Sequence, residues 1–241
     1  MTTIVSCFLA NSNSRGDRNT NKYIELGKKL LNVNIPKIIF MDDSIIDSIE
    51  YNKEKTILIP INYNDLFLSE YKNNITNFDI LTDFSEKDTL DYMLLICNKT
   101  EFMKKAIEIN TFKTEQFVWV DFGINHIFKS SDDEFEKKII NLNMNNYSKI
   151  RIGSIIDPNL YLLNKNIYKE VVWYFAGGVF GGNPEFLLKF ADLVKKKCLE
   201  IILNKATIMW EVNIWYMVFL ENKELFDLYF CDHNETLIEN Y

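Results

Sequence analysis

Cysteine, histidine, proline and glycine are all scarce in this chain of 241 residues, which has 4 Cys, 2 His, 4 Pro and 8 Gly. Cys7, Cys97, Cys198 and Cys231 lie far apart and none forms a CxxC pair. That spacing excludes a zinc knuckle and a dense disulfide scaffold, and it fits reduced thiols in a cytoplasmic compartment. No Lys or Arg precedes the short apolar run Ile4–Ala10, so the charged n-region of a signal peptide is missing and secretion is not expected. No stretch without a charged side chain is longer than Val171–Pro184, which is interrupted by four glycines and falls short of the ~20 residues that span a bilayer. No transmembrane segment is expected. Positive charge is also in the minority: 27 Lys+Arg stand against 34 Asp+Glu, for a net charge of −7 and a pI of about 5.0. Phosphate backbones demand a concentrated Lys/Arg stripe, and none is present, so nucleic acid is not an expected partner. Internal repeats and low-complexity linkers are absent as well.

Apolar and aromatic residues are plentiful, at 47% and 14%. A chain of this length with that content can bury roughly three quarters of the surface that it exposes when unfolded. Thr3–Phe8 (TIVSCF) is an apolar, β-branched run followed by the polar stretch Asn11–Asn21, and it is predicted to be a buried strand opening into a loop. Tyr23, Leu26, Leu30 and Leu31 recur at helical spacing, and Pro36 ends that pattern before a second strand, Lys37–Phe40. Strand, helix, strand is the βαβ unit of a parallel sheet. Thr56–Ile61 and Phe117–Val120 read as two more strands, with a long helix over Asp88–Ile109 between them. In the second half, Lys149–Ile156, Val171–Phe175 and Asp227–Phe230 are predicted strands. Asn183-Pro184 is a specific start signal for a helix reaching about Leu203, and a further helix is expected over Ile208–Leu220. The expected fold class is α/β, one domain with a mostly parallel central sheet flanked by helices.

Three segments concentrate chemistry. Phe117–Gly123 hands one carboxylate, Asp121, to the end of a dry strand, where ligands of open α/β sheets bind. Such a carboxylate can hold a divalent cation, or it can simply cap a turn with Gly123. The letters Asp-Phe-Gly also occur in protein kinases, but no Gly-rich loop, His-Arg-Asp or Ala-Pro-Glu accompanies them, so a kinase is excluded. Trp173–Asn183 gathers half of the chain's glycines into six positions. There Gly177 and Gly178 would let a ligand approach the backbone, while Gly181 and Gly182 would permit the turn into the helix. Asn183-Pro184 stands where a Walker A loop needs Lys-Ser/Thr, so that loop is excluded. The third is Trp210-Glu211-Val212-Asn213, where Glu211 lies among Met, Trp and Phe and therefore either lines a pocket or caps a helix start. His126 and His233 are the chain's two histidines, and each is a candidate for the same cleft.

FVWVDFGINH (117–126), YFAGGVFGGNP (174–184) and WEVNIWY (210–216), in that order, resemble the bacterial HtrL/YibB family associated with surface-polysaccharide gene clusters, and the likeness extends over most of the chain. The glycine segment and the Glu-x-Asn helix are also similar to family 6 glycosyltransferases, in which a related stretch contacts the donor sugar and a Glu sits by the anomeric carbon. The resemblance implies a GT-A-like fold, with residues of about 1–123 forming a nucleotide-binding half and about 124–241 a sugar and acceptor half. It implies a glycosyltransferase that takes a nucleotide sugar, a UDP-sugar foremost, and passes the sugar to a glycan or another hydroxyl acceptor. A catalytically inactive binding or structural module of the same fold is the alternative. The residues implied for the donor are Phe8, Ala10, Asn11, Asp42, Arg15, Lys99, Trp119, Gly177 and Gly178. His126 and Asn213 are implied for the acceptor, and Glu211 with Asp121 for catalysis. Mn²⁺ or Mg²⁺ is expected on Asp121 with His233, although Gly123 stands where the family pattern has a second Asp. If neither residue binds metal, Arg15, Arg18 or Lys99 would neutralise the diphosphate.

Overall fold

Runs of β-branched and aromatic residues assemble into one seven-stranded sheet in the computed structural model, which describes residues 1–10, 19–129, 131–156 and 166–241. The strands are β1 (Thr2–Phe8), β2 (Lys37–Asp42), β3 (Thr56–Ile61), β4 (Gln116–Val120), β5 (Ile150–Ser154), β6 (Phe175–Gly182) and β7 (Phe226–Phe230). Their order across the sheet is β3-β2-β1-β4-β6-β5-β7. β1 pairs in parallel with β2 (Val5 beside Ile38) and with β4 (Ile4 beside Val118), and β5 pairs in parallel with β7. β6 alone runs against its neighbours β4 and β5. The expected α/β class with a mostly parallel sheet flanked by helices is the observed one.

Seven helices flank the sheet among the described residues: α1 (Thr20–Asn32), α2 (Leu90–Ile96), α3 (Lys99–Ile109), α4 (Asp132–Asn141), α5 (Pro184–Lys205), α6 (Glu211–Glu221) and α7 (Thr236–Glu239). Asn19 caps α1 through Lys22 N, and Asn183 caps α5 through Glu185 N with Pro184 at the first helical position, as the Asn-Pro signal predicts. The two-residue period of a strand divides β4 between two layers. Phe117 and Trp119 face α3, α5 and α6 in the larger apolar cluster, while Val118 and Val120 face Leu30 of α1, Phe135 and Ile139 of α4, and Leu237 of α7. No helix among the described residues is long and apolar enough to cross a membrane.

Two predicted elements differ. The helix expected over Asp88–Ile109 is two helices, broken at Cys97-Asn98. The Asn98 side chain accepts from Phe67 N at 3.0 Å instead of continuing the helix, and the Cys97 thiol donates to Met209 O at 3.3 Å. The strand expected over Val171–Phe175 instead begins at Phe175 and carries the glycines through Gly182. Val172 N is bound to Asn213 Oδ1 at 2.7 Å, which ties the preceding segment to α6.

The glycines of β6 have packing reasons of their own. A Cβ on Gly181 would stand 2.3 Å from the Phe117 carbonyl oxygen and 2.8 Å from Val118 Cα. Gly182 has φ of +127°, a conformation that L side chains avoid, and a Cβ there would meet Lys149 O at 2.0 Å. Gly181 therefore serves strand packing rather than the turn expected of it. Gly181→Ala is expected to lower stability by about 3 kcal/mol, because backbone and not a flexible side chain must yield. Urea denaturation measures this, and a loss under about 0.5 kcal/mol would show that the strands can separate at little cost.

Lys37 at the start of β2 is fully buried and its ammonium donates to the carbonyls of Val33 and of Ile35 (2.9 Å). Burial pushes it down from the ordinary 10.5 to about 8, against the attraction of Glu136. Between those two values the unfolded chain holds more protons than the folded one, so stability rises with pH across that window. The full rise is about 3 kcal/mol. Below pH about 8 the penalty of the buried charge is present in full. Lys37→Met should abolish that slope, as read by denaturant melts at pH 7 and pH 10.

Candidate functional site

The C-terminal ends of β1 and β4 open onto a cleft of about 570 Å³, closed on the far side by the start of β6, by α3 and by the segment around His233. In a parallel sheet the strand ends face one edge, and a chain reversal beyond them leaves a crevice. β6 supplies that reversal: its antiparallel course puts Gly178 beside the end of β4, where Asp121 N donates to Gly178 O at 3.0 Å.

Three charged side chains meet at the floor. Lys99, the first residue of α3, directs its ammonium to Asp121 Oδ1 at 2.9 Å, Glu211 Oε1 at 2.9 Å and the Gly177 carbonyl at 2.9 Å. Glu211, the first residue of α6, is only 6% exposed, and the Lys99 side chain only 8%. Asp121 Oδ1 also accepts from Trp119 Nε1 at 2.7 Å, and the Lys99 ammonium lies 5.8 Å from the Trp119 ring centre. Burial by itself would push Lys99 down, but Asp121 and Glu211 outweigh it and hold the ammonium above the ordinary lysine range. A lysine at a helix start opposes the helix dipole, whereas Glu211 at the start of α6 is favoured by it. Lys99 is therefore kept in place by its two carboxylates.

The close approach at Gly177 is made by the protein itself. A Cβ there would stand 2.5 Å from Glu211 Oε1, so the missing side chain is the space into which the carboxylate projects. At Gly178 an added Cβ would come within 3.7 Å of Asp121 Oδ2.

Phe8 lines the cleft at the end of β1, stacked on Phe122 at 5.1 Å and tilted against Tyr23 at 5.8 Å. His126 lines it through the turn after Asp121, with Nδ1 donating to Gly123 O at 2.7 Å. His233 faces it from beyond β7, its ring edge-on to Trp173 at 4.4 Å. Burial pushes the His233 imidazole below its ordinary value, with Asp232 opposing that and Lys87 adding to it.

Asp121, Glu211, Lys99, Trp119, Phe8, Gly177, Gly178, His126 and His233 line one cleft. Ala10, Asp42 and Asn213 do not line it. Asp42 accepts from Ala10 N (2.8 Å), Ser44 N (2.9 Å) and Ser44 Oγ, which pins the exit of β1 to the end of β2. Although burial opposes it, these bonds hold the carboxyl below its ordinary value. Asn213 is fully buried; its Oδ1 accepts from Val172 N, and its Nδ2 donates to Ile167 O and Glu170 O, both at 2.8 Å. The implied acceptor role of Asn213 is thereby replaced by a structural one. Asn11, Arg15 and Arg18 lie outside the described residues. Tyr23, Tyr92, Lys87, Trp173 and Trp210 also line the cleft, although their sequence pattern does not point to it. Tyr23 carries helical periodicity and reads as core, and nothing local distinguishes Trp173 or Trp210 from the aromatic residues around them.

The donors present do not fit the expected divalent ion. Asp121 Oδ1 and Glu211 Oε1 are already held by the Lys99 ammonium, and no group of three or more His, Cys, Asp or Glu able to hold a metal occurs among the described residues.

Fold and cleft together define an α/β protein with a mostly parallel seven-stranded sheet and a carboxylate-lined crevice at the strand ends. Residues 1–236 match the family described as a bacterial protein of unknown function, HtrL_YibB, and the chain belongs to that family. No curated protein matches the sequence. Among solved structures it is similar to mouse xyloside xylosyltransferase 1 in its apo form, at 11% identity and a TM-score of 0.41 over 95% of this chain and 85% of that one. It is also similar to 4-diphosphocytidyl-2C-methyl-D-erythritol synthase from Anaerococcus prevotii DSM 20548, at 12% identity and a TM-score of 0.43 over 96% and 87%.

Proposed function

We propose that the protein is a nucleotide-sugar-dependent glycosyltransferase that moves a sugar from a UDP-sugar to a hydroxyl of a glycan. The observation that carries this reading is the buried Glu211 carboxylate, aimed through the gap left by Gly177 and set beside Asp121 at the strand ends. Phe8 and Tyr23 offer aromatic faces for the nucleotide base, a broad apolar surface at the end of β1. In the reaction the bond between the anomeric carbon and the diphosphate oxygen breaks, and its electron pair leaves with the nucleoside diphosphate. The acceptor oxygen bonds to that carbon, and its proton passes to the departing nucleoside diphosphate. Glu211 stabilises the positive charge that develops on the sugar, because a preoriented carboxylate in a water-poor cleft acts strongly on nearby charge. His126 and His233 flank the acceptor side.

The aromatic second half lends little to a structural module. Trp215 and Phe219 are 0% and 7% exposed and packed in the core, and Trp210 lines the cleft, so none of the three faces a contact surface.

A thermal-shift screen with UDP, GDP, CMP, dTDP and their sugars tests the reading. A ligand that binds the folded state at a hundredfold excess over its Kd adds about 2.7 kcal/mol, several degrees in Tm at this size. A selective rise with UDP and one UDP-sugar, followed by release of UDP on incubation, is the expected result. No shift with any nucleotide would favour a binding or structural module.

A further inference from the structure

We propose that the Lys99 ammonium, seated between Asp121, Glu211 and the Gly177 carbonyl, takes the place of a divalent cation in this cleft and makes donor binding independent of metal. The proposal rests on the nucleotide-sugar reading for its donor, but its geometry stands without it. Three oxygens from three separate elements, the end of β4, the start of β6 and the start of α6, converge on one nitrogen, each at 2.9 Å. Convergence of hard oxygen donors from distant parts of a chain is how a protein builds a cation seat. Here the occupant is covalently supplied: the ammonium donates to Glu211 Oε1 and to the Gly177 carbonyl and is ion-paired with Asp121 Oδ1.

Two features argue against a metal ion entering beside it. The oxygens are spaced for an ammonium: Mn²⁺ and Mg²⁺ bind oxygen at roughly 2.0–2.2 Å, so the seat would have to contract with the lysine expelled. A metal on the remaining Asp121 oxygen, Oδ2, would sit next to the ammonium bound to Oδ1, and two cations on one carboxylate repel. The charge is balanced without a metal. Lys99 cancels one of the two carboxylates, and Lys129 and Lys87, the latter ion-paired with Asp88 at 3.8 Å, bring further positive charge to the cleft lining.

Two measurements decide this, and the first needs no donor. Mn²⁺ titrated into the apoprotein and followed by electron paramagnetic resonance should show no stoichiometric site in the wild type. Lys99→Ala vacates the seat while keeping its three oxygens, and it should gain one Mn²⁺ site at least about tenfold tighter than any wild-type binding. A one-to-one wild-type site that Asp121→Asn removes would overturn the proposal, and so would a folded Lys99→Ala variant that binds no Mn²⁺. If Lys99→Ala does not fold, the wild-type titration is sufficient to uphold or overturn it. In the second measurement, calorimetry of UDP with the wild type should give Kd values within about twofold in EDTA and in Mn²⁺. A tightening of about tenfold or more with Mn²⁺ overturns the proposal. If UDP binds in neither condition, it is the nucleotide-sugar reading that fails, and the apoprotein titration alone then decides the place of Lys99.

Discussion

Lys99→Met lowers the unfolding free energy by about 3–5 kcal/mol, the range for removing one partner of a buried ion pair. The methionine preserves most of the volume of the lysine stem, so the loss reports charge rather than packing. Without the ammonium, Glu211 and Asp121 face each other across the former nitrogen position, and Glu211 has almost no access to water. An uncompensated carboxylate in such a place costs far more than the pair gained when formed. The double variant Lys99→Met/Glu211→Gln should recover a large share of the loss, because the groups belong to one network and their effects do not add. Urea denaturation of the wild type, both single variants and the double variant completes the cycle. A loss below about 1 kcal/mol in Lys99→Met would show that the ammonium is hydrated, as surface pairs are.

Glu211→Gln should reduce sugar transfer or donor hydrolysis by on the order of 10³, within the range of 10²–10⁴ for a single group that acts on charge or protons in the transition state. The amide oxygen still accepts from Lys99, so the fold and the UDP affinity should change little. The loss then appears in kcat rather than in KM. Gly177→Ala tests the same geometry from the other side: its methyl would stand 2.5 Å from Glu211 Oε1 and push the carboxylate from its position. A fall in rate of about 10–100-fold is expected, since a displacement of about 1 Å can cost that much. Transfer that survives Glu211→Gln at the wild-type rate would remove Glu211 from the sugar face and leave Asp121 as the carboxylate to examine.

Much of the fold is written in local pattern. β1, β2 and β4 are nearly continuous apolar runs because a sheet strand covered on both faces has no polar side, and such runs can be read without neighbours. Helix α5 announces itself by Asn183-Pro184, a pair whose side-chain cap and fixed φ act within a few residues. β6 does not announce itself. Its four glycines read as a loop because intrinsic preference is against them, and only the approach of Phe117 O to Gly181 and of Lys149 O to Gly182 explains why a strand needs them there. The break between α2 and α3 is equally hidden, since neither Gly nor Pro marks it and the Asn98 side chain is drawn off by Phe67 N from another part of the chain.

The site divides along the same line. The sequence by itself determined that Asp121 stands at a strand end, that Glu211 is an acid among apolar residues, and that the glycine segment adjoins something close. Each of these follows from covalent neighbours and from the period of the element. Only the tertiary structure decided that the neighbour of Gly177 is Glu211, that Asn213 is consumed in holding 167–172, and that Lys99 bridges the two carboxylates. Those contacts span 112 residues in the case of Lys99 and Glu211. The reason is physical: a charge is set by what surrounds it in space, and burial brings together groups that no spacing along the chain relates.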